Sequence, residues 1–362
     1  MGARQPKNKQ PETEKPGKHA SGTRAAGKQD THRQDAGALL NTLKPLYAME
    51  MQGVDGVIRE MTRSNVPLVS EMAQYIIACG GKRLRPILTV LAAKLCGYED
   101  GDRHIQLAAS IEFIHTATLL HDDVVDESKL RRGAETANAV WGNAPSVLVG
   151  DFLLSRAFQL MARDRSPRVL RVLSNAAATI TQGEVDQLVK KNDLSITHED
   201  YITIVAAKTA ALFTAACEVG AIVAGKSAKE QRALRDYGQH FGIAFQIIDD
   251  VLDYSAVQEQ LGKAIGDDFR EGKVTLPVLL AYQKASTAER AFWERTLGAL
   301  RQQDGDLTRA ISYVRESGAM EEAAMTARAY AAKAHKRLQM FPASDIRKAL
   351  EAILDFAVTR PY

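Results

Sequence analysis

Turn residues, cysteines and strand-like alternation are all scarce in this chain. Its 362 residues include only 11 Pro and 25 Gly, and aromatic residues make up 6%. A sandwich or barrel needs short alternating runs with turn residues between them, so this shortage argues against an all-β fold. What remains are long periodic runs dominated by Ala, Leu, Glu, Arg and Lys, which predict an all-α protein. The three cysteines, Cys79, Cys96 and Cys217, are odd in number and far apart. They offer neither a disulfide framework nor zinc spacing, and a reducing, cytoplasmic location is expected. No apolar run reaches transmembrane length without a charged or polar break. The start, MGARQPKNKQ, lacks the apolar segment of a secretory signal. With 45% hydrophobic and 25% charged residues the composition is that of an ordinary soluble protein, long enough for one large domain or two smaller ones.

Residues 1–36 are a different material. They hold no large aliphatic side chain after Met1, so they cannot bury enough surface to fold. They carry eight basic and four acidic residues, a net of +4 against +3 for the whole chain, which leaves about −1 for residues 37–362. The basic balance therefore belongs to the tail. It reads as a solubilising leader, with weak attraction to an anionic surface as the sharper alternative. No nucleic-acid partner is expected.

The chemistry concentrates in LLHDDVVDESKLRRG, residues 119–133. Asp122, Asp123 and Asp126 form a DDxxD pattern directly after an apolar run, and on a helix their spacing puts all three on one face. Like charges this close repel, and no Lys or Arg lies among them. A hard cation relieves the repulsion, and oxygen-only ligation suits Mg²⁺. Arg131 and Arg132 follow, with the geometry that matches phosphate. The pattern returns in QIIDDVLDY as Asp249, Asp250 and Asp253, 127 positions on (249 minus 122). One such cluster is usually a solvated helix face. Two, each entered from an apolar helix, point to a metal–diphosphate site.

In chain order, an amphipathic helix is expected from Ala38 to Arg63 and another from Pro67 to Gly80-Gly81. The segment GGKRLRP then gathers Lys82, Arg83 and Arg85 ahead of a helix over Ile87–Cys96, a good anion site. A helix over 103–126 carries the first DDxxD, with His115 two turns before Asp122 on the same face. Further helices are expected over Ser146–Met161, with Asp151 in an apolar setting, and over Leu170–Lys190, where Glu184 and Gln187 lie one turn apart. The helix over Glu199–Ala224 holds Lys208 and Thr209 among apolar neighbours, so Lys208 needs an anion to meet it or must snorkel. The second DDxxD helix spans Lys229–Tyr254. The polar segment 262–277, with Lys263 and Lys273 beside glycines, fits a phosphate lid. The remainder is helical and ends in Ser344–Val358.

Taken together, GGKRLRP, DDxxD followed by RRG, the Lys208-Thr209 pair, QIIDDVLDY and EGKVTLP resemble the trans-isoprenyl diphosphate synthases (polyprenyl synthetases). They stand in the family's order and at family-like spacing, and the likeness runs from Ala38 to the C-terminus. EFIHTATLLHDDVVDESKLRRG and SVLVGDFLL resemble the long-chain octaprenyl and decaprenyl enzymes most. The resemblance implies a single domain of antiparallel helices around a deep central cavity, usually a homodimer. It implies Mg²⁺ bound by Asp122, Asp123, Asp126, Asp249 and Asp250, with Asp253 outer or shared. Arg131, Lys208, Gln246, Lys263 and Lys273 would hold an allylic diphosphate. Lys82, Arg85, His115 and Arg132 would hold isopentenyl diphosphate, with Thr209 and Gln187 in support. A peripheral membrane contact would serve product release.

The rivals are a shorter-chain (farnesyl or geranylgeranyl) synthase, a class I terpene cyclase, a non-catalytic subunit of a heteromeric synthase and a helical scaffold. GGKRLRP and the second DDxxD count against a cyclase, and no aspartate is lost as it would be in a non-catalytic subunit. In the family, bulky aromatics four or five positions before the first aspartate stop chain growth early. Here those positions are Thr118 and Ala117, both small, with Ile114 and Ile111 one and two turns below Thr118. A long tunnel and a long product, suited to a ubiquinone side chain, are expected.

Overall fold

The computed structural model describes Gly2 and residues 41–78, 81–131, 134–255 and 266–359. The tail with its boundary after residue 36, and Cys79, Arg132 and Lys263, lie outside those residues.

The helix expected over 38–63 is broken. Lys44–Leu46 forms a 3₁₀ turn containing Pro45, and helix α1 runs only over Ala48–Met61. Proline removes a backbone donor and fixes φ, so the two pieces cannot merge. Helix α2 (Pro67–Ala78) opens on its proline. Helix α3 (Leu84–Leu95) starts earlier than expected, because Pro86 is tolerated in a first turn whose N–H groups are unpaired anyway. Arg83 precedes it in a left-handed conformation, φ +48°.

Helix α4 (Arg103–Val125) carries the first aspartate cluster. A short antiparallel hairpin, β1 (Leu130–Arg131) with β2 (Ala134–Glu135), follows it. Helices α5 (Ala137–Trp141), α6 (Asn143–Arg163) and α7 (Pro167–Val189) come next. Helix α8 (His198–Val205) passes through a π-helical turn, Ala206–Ala210, into α9 (Ala211–Val223). Helix α10 (Ala228–Asp253) carries the second cluster. Capping boxes start α8 (Thr197 with Asp200) and α10 (Ser227 with Glu230), satisfying donors that helix starts leave open. The chain ends in α11 (Asp267–Glu271), α12 (Leu276–Lys284), α13 (Thr287–Trp293), α14 (Asp306–Glu316), α15 (Ala319–Leu338) and α16 (Asp345–Val358).

Helices α3 and α9 form the centre. Leu88, Val90 and Leu91 of the first and Phe213, Ala216, Cys217 and Val219 of the second are fully buried. A helix apolar on every side belongs in a core. The stretch His198–Val223 is therefore long and apolar enough to cross a membrane, yet over half of its apolar window is buried inside the protein. Helix α9 packs on α3, α7 and α10, while α4 packs on α6, α3 and α1, and α10 on α15. The approach of α10 to the π turn depends on Gly242, where a Cβ would stand 2.5 Å from Ala210 Cα. This close crossing brings the end of α10 alongside the π turn, and the site lies there.

Candidate active site

The first cluster is anchored by protein cations. Arg131 Nε and Nη2 each lie 2.8 Å from Asp123 Oδ1, and the Asp123 side chain is only 7% exposed. Lys273 Nζ lies 3.1 Å from Asp126 Oδ2 and also pairs with Glu271. No base lies among these aspartates in the sequence, yet two reach them in the fold. The partners come from the hairpin and from the segment after α11, which sequence distance concealed. Burial opposes the Lys273 ammonium, but Glu271, Asp126 and Asp268 outweigh it and raise its pKa. Asp122 keeps more of its repulsion: burial, then Glu184, push its carboxyl up to about 7 against the pull of Lys208 and Arg131.

In the second cluster, Asp250 and Asp253 accept from neutral donors. Tyr201 donates its hydroxyl to Asp250 Oδ2 at 2.6 Å, and the Gln246 amide donates to Oδ1 at 2.7 Å. Thr209 in turn donates to the Gln246 carbonyl at 2.8 Å. Gln246 and Thr209 therefore orient Asp250 in this state. Burial pushes Asp250 up to about 7, and the two hydrogen bonds only partly counter it. Asp253 accepts from the backbone N–H groups of Asp267 and Asp268, at 3.3 and 3.1 Å, and so holds the start of α11. Burial raises it to about 6.

Lys208 has the anion that its apolar setting demanded. Its Nζ lies 2.7 Å from Glu184 Oε2 and donates to Gln187 Oε1 at 2.6 Å. The π turn puts Lys208 and Thr209 there, since one extra residue in the turn shifts the helix phase. Gly183 allows the approach, because a Cβ on it would stand 2.9 Å from the Lys208 backbone nitrogen. Asp126 of the first cluster and Asp250 of the second line one cavity of about 130 Å³, together with Glu184, Lys208, Gln246 and Lys273.

A neighbouring cavity of about 450 Å³ joins Lys82, Arg83, Arg85, His115 and Asp249 with the rings of Phe213 and Phe245. Arg85 Nη1 stands 3.1 Å from His115 Nε2, which must act as the acceptor because arginine only donates. The Arg85 guanidinium also lies 4.2 Å from the Phe213 ring centroid, and Lys82 Nζ 5.1 Å from that of Phe356. Arg83 turns away to Asp55 and Glu112, at 3.3 and 3.5 Å, bracing the segment against α1 and α4.

Below Asp122 a gap of about 200 Å³ separates α4 from α7. Thr118, His121, Ile180 and Thr181 line it. Ala117, Ile114 and Ile111 are buried in the core instead. Asp151 is not in the apolar setting expected: its side chain is 60% exposed. A further cavity of about 950 Å³, between α7, α9, α10 and α15, is lined by none of the six aspartates.

Sequence reasoning gave no role to Tyr201, Asp268 or Glu271, and left Glu184 without a partner. Asp268 and Glu271 lay in the polar segment already singled out, but Tyr201 carried no signal beyond its place on an apolar helix. Among the described residues no three His, Cys, Asp or Glu side chains converge on one point. A divalent ion here would be held by one or two carboxylates together with oxygens of another molecule, as suits Mg²⁺ and phosphate. The all-oxygen donor set and the unrelieved charge at Asp122 and Asp250 fit such an ion.

A sequence profile described as polyprenyl synthetase matches residues 66–314. The chain is 48% identical over 323 residues to octaprenyl diphosphate synthase of Escherichia coli, covering 89% of this chain and 99% of the relative. A polyprenyl synthase from Caulobacter crescentus, solved with calcium and isoprenyl diphosphate, superposes with a TM-score of 0.86 at 50% identity, covering 89% of this chain and 98% of that one. A decaprenyl diphosphate synthase from Rhodobacter capsulatus gives 0.85 at 47% identity, covering 88% and 98%.

Proposed function

This chain belongs to the polyprenyl synthetase family, and from that premise we infer a long-chain trans-polyprenyl diphosphate synthase. It is a prenyltransferase that adds isopentenyl diphosphate, unit by unit, to an allylic diphosphate. The product is of octaprenyl to decaprenyl length and suits a quinone side chain. The observation that carries this reading is one cavity lined by an aspartate of each cluster, Asp126 and Asp250, and by Lys208 and Lys273.

The allylic diphosphate lies in that cleft in this reading. Asp122, Asp126, Asp249 and Asp250 would hold Mg²⁺, with Asp123 and Asp253 steadying the two clusters. The metal, when bound, supplies positive charge to the departing diphosphate. Lys208 and Lys273 add to that charge, and Arg131 lies at the edge of the same cluster. For Lys208 and Lys273 to reach the substrate, they exchange Glu184 and Asp126 for phosphate oxygens. Isopentenyl diphosphate takes the basic cavity of Lys82, Arg85 and His115. Its double bond attacks the allylic carbon as the carbon–oxygen bond breaks. Loss of a proton, with the departing diphosphate as base, leaves an allylic diphosphate one unit longer. Phe213 and Phe245 keep the reacting carbon from water.

The growing chain enters the gap between α4 and α7, where Thr118 rather than Ala117 faces it. Thr118→Phe is expected to shorten the product by several isoprene units while the first condensation continues. Chromatography of the dephosphorylated products reads this directly. A wild-type product at the farnesyl or geranylgeranyl stage would refute the long-chain assignment.

We take residues 37–362 as one domain, acting as a homodimer. Exposed apolar side chains on α6 (Leu148, Phe158) and α7 (Leu170, Val185, Leu188, Val189) support a partner surface. The free, buried thiols Cys96 and Cys217 suit the cytoplasm. A peripheral membrane contact would receive a product too apolar for water.

A further inference from the structure

His121 stands one residue before Asp122 and has no role in the chemistry above. Its ring lies in the groove between α4 and α6, over Gly150. A Cβ on Gly150 would stand 2.7 Å from His121 Cδ2 and 3.1 Å from Cε1. The ring thus fills the space that any larger residue at 150 would need. Glycine inside a helix is less favourable than alanine, and seating the ring is what its presence makes possible. His121 Nε2 lies 3.2 Å from the Val147 carbonyl oxygen and 3.6 Å from Asp151 Oδ1, contacts that draw the ring toward α6. On its other side the ring borders the gap lined by Thr118, Asp122, Ile180 and Thr181.

We propose that the His121–Gly150 pair sets the width of the tunnel mouth and thereby helps to determine product length. The proposal rests on reading this gap as the path of the growing chain. While Gly150 is present, the ring is seated against α6 and the mouth is open. A methyl group at 150 occupies that seat, and the open space next to the ring is the gap itself.

The test is the product distribution from labelled isopentenyl diphosphate, which does not depend on how much enzyme is folded. Gly150→Ala is expected to shift the distribution down by at least one isoprene unit with the first condensation retained. His121→Ala added to that variant is expected to restore the wild-type distribution. Thr118→Phe, assayed in parallel, tests the path. If Thr118→Phe shortens the product and Gly150→Ala does not, the pair has no such role and the path stands. If neither shortens it, the path and the proposal fall together. If Gly150→Ala shortens it but His121→Ala does not restore it, the ring is not the agent and the proposal is overturned. Should Gly150→Ala fail to fold, His121→Trp keeps the glycine and enlarges the ring. Shorter product then supports the pair, and an unchanged distribution overturns it.

Discussion

The two aspartate clusters have the same spacing and opposite support. The one on α4 is held by cations, Arg131 on Asp123 and Lys273 on Asp126. On α10, Asp250 is held by a phenol and an amide, and Asp253 by two backbone N–H groups. Cations neutralise as well as orient, whereas neutral donors only orient. Asp123 and Asp126 therefore have part of their charge offset by the protein's own cations, whereas Asp250 and Asp253 are oriented by their donors while burial raises both carboxyls. A repeated motif thus becomes two different instruments through partners that lie outside it.

The comparison breaks most visibly if one cluster proves dispensable. Asp122→Ala and Asp249→Ala are each expected to lower turnover by about 10²–10³-fold, the scale for losing a preorganised electrostatic group. Activity is also expected to vanish in excess chelator. Steady-state assays with labelled isopentenyl diphosphate measure both, and full activity in either variant would leave one cluster without a function.

A smaller effect sharpens the contrast in support. Arg131→Ala leaves the buried Asp123 carboxylate without its guanidinium and is expected to cost about 1.5–3 kcal/mol of stability. Tyr201→Phe removes a neutral donor from a carboxyl already raised to about 7 and is expected to cost about 0.5–1.5 kcal/mol. Urea denaturation of metal-free protein ranks the two. The reverse order would mean that charge is not what separates the clusters.

Much of the fold was legible because the helical runs are long and apolar-periodic, and α4 and α10 fall within a residue or so of expectation. The break at Pro45 shows a local rule outweighing a periodic pattern. The π turn was not legible, since nothing in AAKTA distinguishes five-residue from four-residue hydrogen bonding. The aspartates and the bases could be found from type and spacing alone. Their pairings could not, because Arg131 reaches Asp123 by way of a hairpin and Lys273 reaches Asp126 from the far side of α10. Thr118 and Ala117 were both candidates by position, and the gap beside α4 includes Thr118 while Ala117 is buried.

The smallest expected effect is one of pH. Burial raises Asp122 and Asp250 to about 7 and Asp253 to about 6, against roughly 3.9 in the unfolded chain. The folded protein then binds more protons than the unfolded chain between about pH 4 and pH 7, so these groups make metal-free stability fall as pH rises through that range. His104 and His240, which burial holds below the usual histidine value, oppose this by losing stability as pH falls. Comparing metal-free with metal-loaded protein cancels the histidines. The rise in melting temperature on adding Mg²⁺ is expected to grow from about pH 5.5 to about pH 7.5. A metal-induced rise that is the same at both values would show that the aspartates do not bind the ion as the reading requires.

The contact between Lys273 and Asp126 joins positions 147 apart in the chain. During synthesis, α4 and its aspartates emerge long before the lysine that will restrain them is made. Early folding must therefore proceed with that cluster only partly neutralised, and the ion pair closes after α10 has docked. Assembly of the cleft is in this sense a late event, tied to contacts of high sequence separation, which form slowly. An incomplete chain that stops before α11 has both aspartate clusters yet lacks the lysine that pairs with Asp126.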